Sequence, residues 1–231
     1  MSDSPEKLDE LKTSAFDRRM SIARASLLAG TRWATANAGS MFSSEEVRDK
    51  KRKQVMSEQA QYLVNEIGKL KGSIVKIGQM MALYGEHFLP PEITTALHTL
   101  NDSTTALSWH AIEAQLRKQI GDKVDDLIIN QEPLGTASLA QVHRATRKSD
   151  GLEVVLKVQY PGVAEAIDSD LGLFRNMLKL TRMVPQTREF EEWFEEVREM
   201  MHREVDYHME AATTKRFYER LKDDPRYIVP Q

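Results

Sequence analysis

The sequence predicts an α+β chain in which a small antiparallel sheet is set among helices. Three observations lead there. Residues 127–158 carry short alternating or β-branched runs separated by turn residues, the pattern of a three-stranded meander. Most of the remainder repeats apolar residues every third or fourth position, the helical period. The chain has no cysteine, so neither disulfides nor thiolate metal sites hold it together, and a cysteine nucleophile is excluded.

Composition bounds the rest. With 231 residues, 41% hydrophobic and 29% charged, the chain has material for one domain plus an extension, or for two small domains. A net charge of −3 and an aromatic content of 7% disfavour nucleic-acid binding. No apolar run approaches the roughly 20 residues that cross a bilayer. The first residues, Met1 to Pro5, are polar and acidic, without the apolar stretch of a signal peptide. The expected location is cytoplasmic, at most peripheral at the inner face of a membrane.

Taken in order, residues 1–15 read as a disordered N-terminus. Phe16 to Ala38 suits a helix, with Ile22, Ala25, Ala29, Trp33 and Ala36 at helical spacing, and Asn37 to Ser40 breaks it. Ser43 and Glu46 form a capping box ahead of a long helix whose buried stripe is Met56, Ala60, Leu63, Ile67 and Leu70. Near its start lies Lys50-Lys51-Arg52-Lys53, either a solvated helix face or a contact for anionic lipid headgroups. A helix from about Ser73 to Glu86 buries Ile74, Ile77 and Met81 and carries Lys76 and Gln79 on another face. Gly78 costs that helix about 1 kcal/mol relative to alanine, which makes sense if another backbone comes close.

Pro90-Pro91-Glu92 opens a short helix that runs to Leu100, and Asn101 to Ser103 ends it. A further helix from Ser108 to about Gly121 turns Ile112, Leu116 and Ile120 inward, and residues 122–126 form a polar connector. The architecture changes at about residue 124.

In the sheet, Leu127-Ile128-Ile129 is the first strand and Gly135-Thr136-Ala137-Ser138 a loop almost without side chains. Ala140 to Ala145 alternates, and Ser149-Asp150-Gly151 is a hairpin turn. Val154 to Val158 is a β-branched strand with Lys157 as a buried-looking cation. A helix from Val163 to Met183 buries Ile167, Leu171, Phe174, Leu178 and Thr181. Pro185 to Thr187 interrupts it. A last long helix, Glu189 to Leu221, sets Phe190, Phe194, Val197 and Met201 against a solvated acidic side of Glu191, Glu192, Glu195, Glu196 and Glu199.

A small-residue loop between strands lets backbone N–H groups approach phosphate oxygens. A lysine on the third strand can then reach phosphate, as in the V-A-I-K pattern of kinases, here Val154-Val155-Leu156-Lys157. An ordinary meander with a snorkelling lysine fits the same letters. The wider motifs separate the two. Lys76-Ile77-Gly78-Gln79 matches K-x-G-Q, and Glu204-Val205-Asp206-Tyr207 followed by Glu210-Ala211-Ala212 matches an E-x-D signature. With Pro133 to His143 and Lys157 to Val163 they occur in the order found in the UbiB/ADCK (AarF-type) atypical kinases of coenzyme Q biosynthesis, which the chain resembles from about Ser21 to its end.

That resemblance implies a protein-kinase-like N-lobe, residues 124–231, preceded by a helical extension, 16–123, that carries K-x-G-Q. It implies ATP or ADP as cofactor, held by Gly135, Thr136, Ala137, Ser138, Lys157 and Glu210, with Mg whose ligands are expected mainly in a C-lobe missing from this chain. Glu210 would pair with Lys157. Lys76, Gly78, Gln79, Glu204 and Asp206 form the family motif, in which Glu204 and Asp206 would hold Lys76 and Asp206 would also lie near metal. Partners implied are the nucleotide, an anionic membrane surface or proteins of quinone biosynthesis. Gly135 and Thr136 depart from the alanines frequent in that family's loop, which leaves nucleotide preference open.

Two apparent leads fail. His202-Arg203-Glu204 resembles the kinase H-R-D triplet, but Met209 stands where asparagine is required. The six histidines have no metal-ligand spacing, and His143 reads as a structural residue. No H-x-D…N pattern and no D-F-G occurs before Gln231, so the expectation is a truncated or excerpted chain without catalytic residues and with little phosphoryl transfer of its own. A helical docking module with a relic nucleotide lobe is the alternative.

Overall fold

The computed structural model describes residues 44–70, 72–100, 106–180 and 187–230, with Met20 and Val184; the side chains of Arg48, Lys69, Leu70 and Leu180 fall outside that description. The predicted helix Phe16–Ala38, Ser43 of the capping box, Asn101 to Ser103 and Thr181 therefore lie outside the described residues, save Met20. Seven α-helices, a 3₁₀ turn and three strands are described.

Helix α1, Glu45–Leu70, is a polar helix with one apolar stripe. Ala60, Leu63, Val64 and Ile67 are buried on it, while Lys50 to Lys53 are exposed. The stripe packs on α2, Ser73–Tyr84, and on α3, Pro91–Leu97, which starts with proline where a missing N–H costs nothing. On α2 the predicted row Ile74, Ile77 and Met81 is fully buried. Gly78 is buried between them because a Cβ there would overlap Leu100 Cδ1 and touch Leu97. The close neighbours are thus leucine side chains rather than the second backbone expected.

Helix α4, Trp109–Ile120, buries Ile112 and Leu116. Ile120 is 38% exposed, a correction to the inward placement, because the helix ends there and the chain turns through Gly121. The expected polar connector is a 3₁₀ turn, Gly121–Asp126, pinned by buried Val124.

The sheet has order β1-β2-β3, all antiparallel: β1 Leu127–Thr136, β2 Ala140–Arg147 and β3 Glu153–Gln159. β1 is longer than its apolar start suggests. It continues through Pro133 by two register shifts, so Pro133 sits at a ladder irregularity where a missing donor is tolerated. Arg147 to Leu152 form the predicted hairpin turn, with Gly151 at φ 71°, a conformation that suits glycine.

Helix α5, Val163–Leu180, buries Ile167, Leu171, Phe174 and Leu178. Helix α6, Arg188–Val205, is capped by the Thr187 side chain and buries Phe190, Phe194, Val197 and Met201 as expected. Its acidic side is not merely solvated. Glu191 bridges to Arg175 and Lys179 on α5, at 2.5 and 2.8 Å. Trp193 stacks on Phe88 at 5.1 Å and donates to the Tyr84 carbonyl, tying α6 to the end of α2.

The predicted last helix is in fact two. It breaks at Asp206 (φ −85°, ψ 85°), and α7, Tyr207–Leu221, follows with no buried residue. A single apolar cluster runs from α1 through α2 and α6 to Val158 and Tyr160 at the end of β3, so helices and sheet share one core. Among the described residues no helix is long and apolar enough to cross a membrane.

Candidate functional site

The site begins with the sheet's register. Gly135 pairs with Val142 and Val142 with Lys157, so the three lie in one row across the strands. Directly opposed residues share a face, so Val142 and Lys157 project together. Alternation puts Val155 beside them, 61% exposed. The other face of β2, with Gln141, His143 and Ala145, is buried. The sheet thus has one packed face and one open face, and Lys157 stands on the open one.

Lys157 is not the buried cation that its β-branched neighbours suggested. Its side chain is 48% exposed. It is nonetheless held: Nζ donates to both oxygens of Glu210, at 2.9 and 2.8 Å, and lies 4.6 Å from the centroid of the Tyr207 ring. Glu210 can reach because the break at Asp206 starts a helix there and Glu210 lies in its first turn. Together with Val155, Ala211 and Thr214, these groups border a cleft of about 670 Å³.

Lys76 lies beneath the break. Its Nζ is 2.9 Å from Glu204 Oε1, with the lysine side chain 24% and the glutamate 42% exposed. Gln79 lines a second cleft with Lys76 and Glu204 and donates to the Leu100 carbonyl at 3.4 Å. Asp206 does not join this pair. Its Oδ1 accepts the Met209 N–H at 2.9 Å and caps α7, a role that a carboxylate at a helix N-terminus fills well. The two acids of E-x-D therefore divide their work: Glu204 binds the K-x-G-Q lysine, and Asp206 makes the break that brings Glu210 to Lys157.

The loop differs from its prediction. Gly135 and Thr136 are strand residues, paired with Val142 and Gln141, and the turn proper is Ala137-Ser138-Leu139. It is tight, with Ala137 N–H donating to the Ala140 carbonyl at 2.8 Å and Tyr160 N–H to the Leu139 carbonyl at 2.9 Å. Around Gly135 a Cβ would meet nothing within 4 Å, so alanine fits there.

Sequence reading passed over Gln141; it and His143, which holds the structural role expected of it, are both fully buried. Gln141 Oε1 accepts the Leu107 N–H at 3.0 Å, and its Nε2 donates to the Leu107 carbonyl at 3.4 Å. The same Nε2 is 2.8 Å from His143 Nε2, and an amide nitrogen only donates, so His143 carries its proton on Nδ1 and gives it to the Asn130 carbonyl, 2.8 Å away. A polar pair flanking an apolar Val142 on the inward face was the available signal. Tyr207 was missed too. Burial, then the charges of Glu210 and Glu204, push its phenol up to about 12. His202 of the false triplet simply meets Asp168 at 3.0 Å on α5.

A lysine–glutamate pair under an antiparallel sheet, approached from a broken helix, defines a kinase-like small lobe. Residues 99–231 match the model of the ABC1 atypical kinase-like domain. The mitochondrial atypical kinase COQ8 of Schizosaccharomyces pombe is 34% identical over 73% of this chain and 28% of its own length, and that of Saccharomyces cerevisiae 33% identical over 73% and 34%. COQ8B of Danio rerio is 30% identical over 74% of this chain and 28% of its own. A solved Mycobacterium tuberculosis protein in complex with erythromycin aligns at 28% identity and a TM-score of 0.47, over 80% of this chain and 47% of its own. The chain belongs to the ABC1 atypical kinase-like family, the UbiB/ADCK group. It spans about a quarter to a third of the length of these COQ8 relatives.

Proposed function

We propose that this chain is the ATP-binding portion of an atypical kinase or ATPase that supports coenzyme Q biosynthesis. The observation that carries the reading is the two-oxygen grip of Glu210 on Lys157, on an open sheet face in one row with Val142 and Gly135. Both partners are about half exposed, and such pairs contribute only about 0.2–1 kcal/mol to stability. The arrangement makes better sense as orientation: an ammonium kept on the open face can meet phosphate oxygens, and the adjacent Val142 and Val155 offer apolar surface to a base.

Lys157 supplies the phosphate contact, Glu210 orients it, and the turn at Ala137, Ser138 and Leu139, with Gly135 and Thr136 behind it, supplies bare backbone. Among the described residues no group of three or more His, Cys, Asp or Glu could hold a metal ion. No step assigned to these residues passes through magnesium. Binding is the role proposed for these residues. Phosphoryl transfer calls for a catalytic-loop aspartate and a D-F-G aspartate, which the sequence does not contain.

The test is ATP and ADP binding by calorimetry to the chain and to its Lys157→Ala and Glu210→Gln variants. Lys157→Ala should weaken ATP binding about tenfold or more, the cost of losing a charged hydrogen bond of roughly 1.5–3 kcal/mol, with the thermal midpoint little changed. Unaltered ATP affinity in Lys157→Ala would refute the proposal.

The exposed run Lys50 to Lys53 supports a second element, contact with an anionic membrane surface. Each basic residue near such a surface contributes about 1 kcal/mol. Charge reversal of the four should abolish sedimentation with anionic vesicles and leave ATP binding intact; sedimentation undiminished by reversal removes this element.

A further inference from the structure

A half-exposed lysine on a strand has four flexible methylenes, and one surface ion pair orders them poorly. Lys157 has a second contact, the face of Tyr207, 4.6 Å from its ammonium. Tyr207 is the first residue of α7 and Glu210 lies three further on, so the two share a helix face and grip the ammonium from the same side. The grip depends on the break: with non-helical Asp206 capping α7 through the Met209 N–H, the helix starts where Tyr207 is needed.

Tyr207 also stands between two ion pairs. Its half-buried phenol feels the carboxylates of both Glu210, which binds Lys157, and Glu204, which binds Lys76. One cleft is bordered by Lys157, Glu204 and Glu210 together, so both acids border the same space as Lys157. We propose that Tyr207 is a positioning residue: its ring holds Lys157 on the open face of the sheet, and its place between Glu204 and Glu210 links that lysine to the K-x-G-Q pair at Lys76. The link to nucleotide rests on the function proposed above; the positioning itself does not.

The experiment reads Lys157 directly. The full chain is treated with an N-hydroxysuccinimide ester, and acylation of each lysine is followed by peptide mass spectrometry without nucleotide. Tyr207→Leu should speed acylation of Lys157 about 2- to 5-fold relative to the other exposed lysines, the factor that a cation–π contact at an exposed site represents. Tyr207→Phe, which keeps the ring, should stay near the wild-type rate. Tyr207→Met, whose unbranched side chain fills irregular gaps, carries the same expectation as leucine and serves if the leucine variant loses its helical circular dichroism.

Lys76→Ala should alter the Lys157 rate in the wild-type background and not in Tyr207→Leu. Wild-type acylation in both Tyr207→Leu and Tyr207→Met, with Glu210→Gln faster, would overturn the proposal by leaving Glu210 as the sole restraint. An equal Lys76→Ala effect in both backgrounds would overturn the link. Repeating the wild-type reaction with ATP separates the two readings: a Tyr207-dependent rate with no protection by ATP supports positioning and sinks the nucleotide site.

Discussion

Tyr207 carries an electrostatic signature that can be measured. Burial and two neighbouring carboxylates raise its phenol from 10.0 to about 12 in the folded chain. A raised value means that the folded state favours the protonated form, so the stability this group contributes is complete below pH 10. It is lost as pH climbs from about 10 through 12. In an ultraviolet titration of the phenolates, the wild type should show a late-ionising tyrosine that Tyr207→Phe lacks. Alkaline unfolding of Tyr207→Phe should correspondingly be less steep across that interval. Identical titration curves for the two proteins would contradict the assignment.

At the scale of elements, two short-range details set where helices begin and how closely they pack. Asp206 ends α6 and caps α7. Asp206→Ala removes that cap and should cost about 0.5–2 kcal/mol in urea unfolding. It should also weaken ATP binding, because Glu210 sits in the turn that the cap organises. Gly78 sits inside α2, where alanine would ordinarily gain about 1 kcal/mol of helix propensity. Here the added Cβ would overlap Leu100 Cδ1 on a well-buried side chain, and overpacking of this kind costs about 1–3 kcal/mol. Gly78→Ala should therefore destabilise by roughly 1 kcal/mol net of the propensity gain, and Leu100→Ala in the same chain should relieve part of the strain that Gly78→Ala introduces.

For the molecule as a whole, Gln141 is a buried polar tie between the sheet and the segment that leads into α4. It satisfies both backbone groups of Leu107 and one nitrogen of His143 in a fully buried position. Replacing it with leucine would leave those groups without their partner at about 1–3 kcal/mol for each unsatisfied one. Gln141→Leu should lower the thermal midpoint more than any of the surface ion-pair variants. Because one apolar cluster runs through helices and sheet, wild type should unfold in a single transition by fluorescence and circular dichroism. Early melting of one signal in Gln141→Leu would locate the joint at this residue.

Much of this was legible from residues alone. The apolar rows of α2, α5 and α6 follow from helical spacing: Ile74, Ile77 and Met81, then Ile167, Leu171 and Phe174, then Phe190, Phe194 and Val197 each recur at the period that brings side chains to one face. The order of motifs identified the family, and the letters at 154–157 and 204–210 marked the residues that meet in space. Local patterns could not reveal the exposure of Lys157: a β-branched strand looks the same whether its second face is packed or open, and only the arrangement of neighbouring elements leaves this one uncovered. Nor could they divide the acids. Glu204 and Asp206 are equivalent carboxylates in sequence, and it takes the break between α6 and α7 to give one to Lys76 and the other to a helix terminus. The strand membership of Gly135 and Thr136 was likewise decided by pairing with β2, a long-range hydrogen-bonding match that no single stretch encodes. Periodicity and residue chemistry thus determined the elements and the candidate groups, whereas tertiary packing decided which charges meet, because hydrogen bonds and ion pairs depend on ångström-scale distances between segments far apart in the chain.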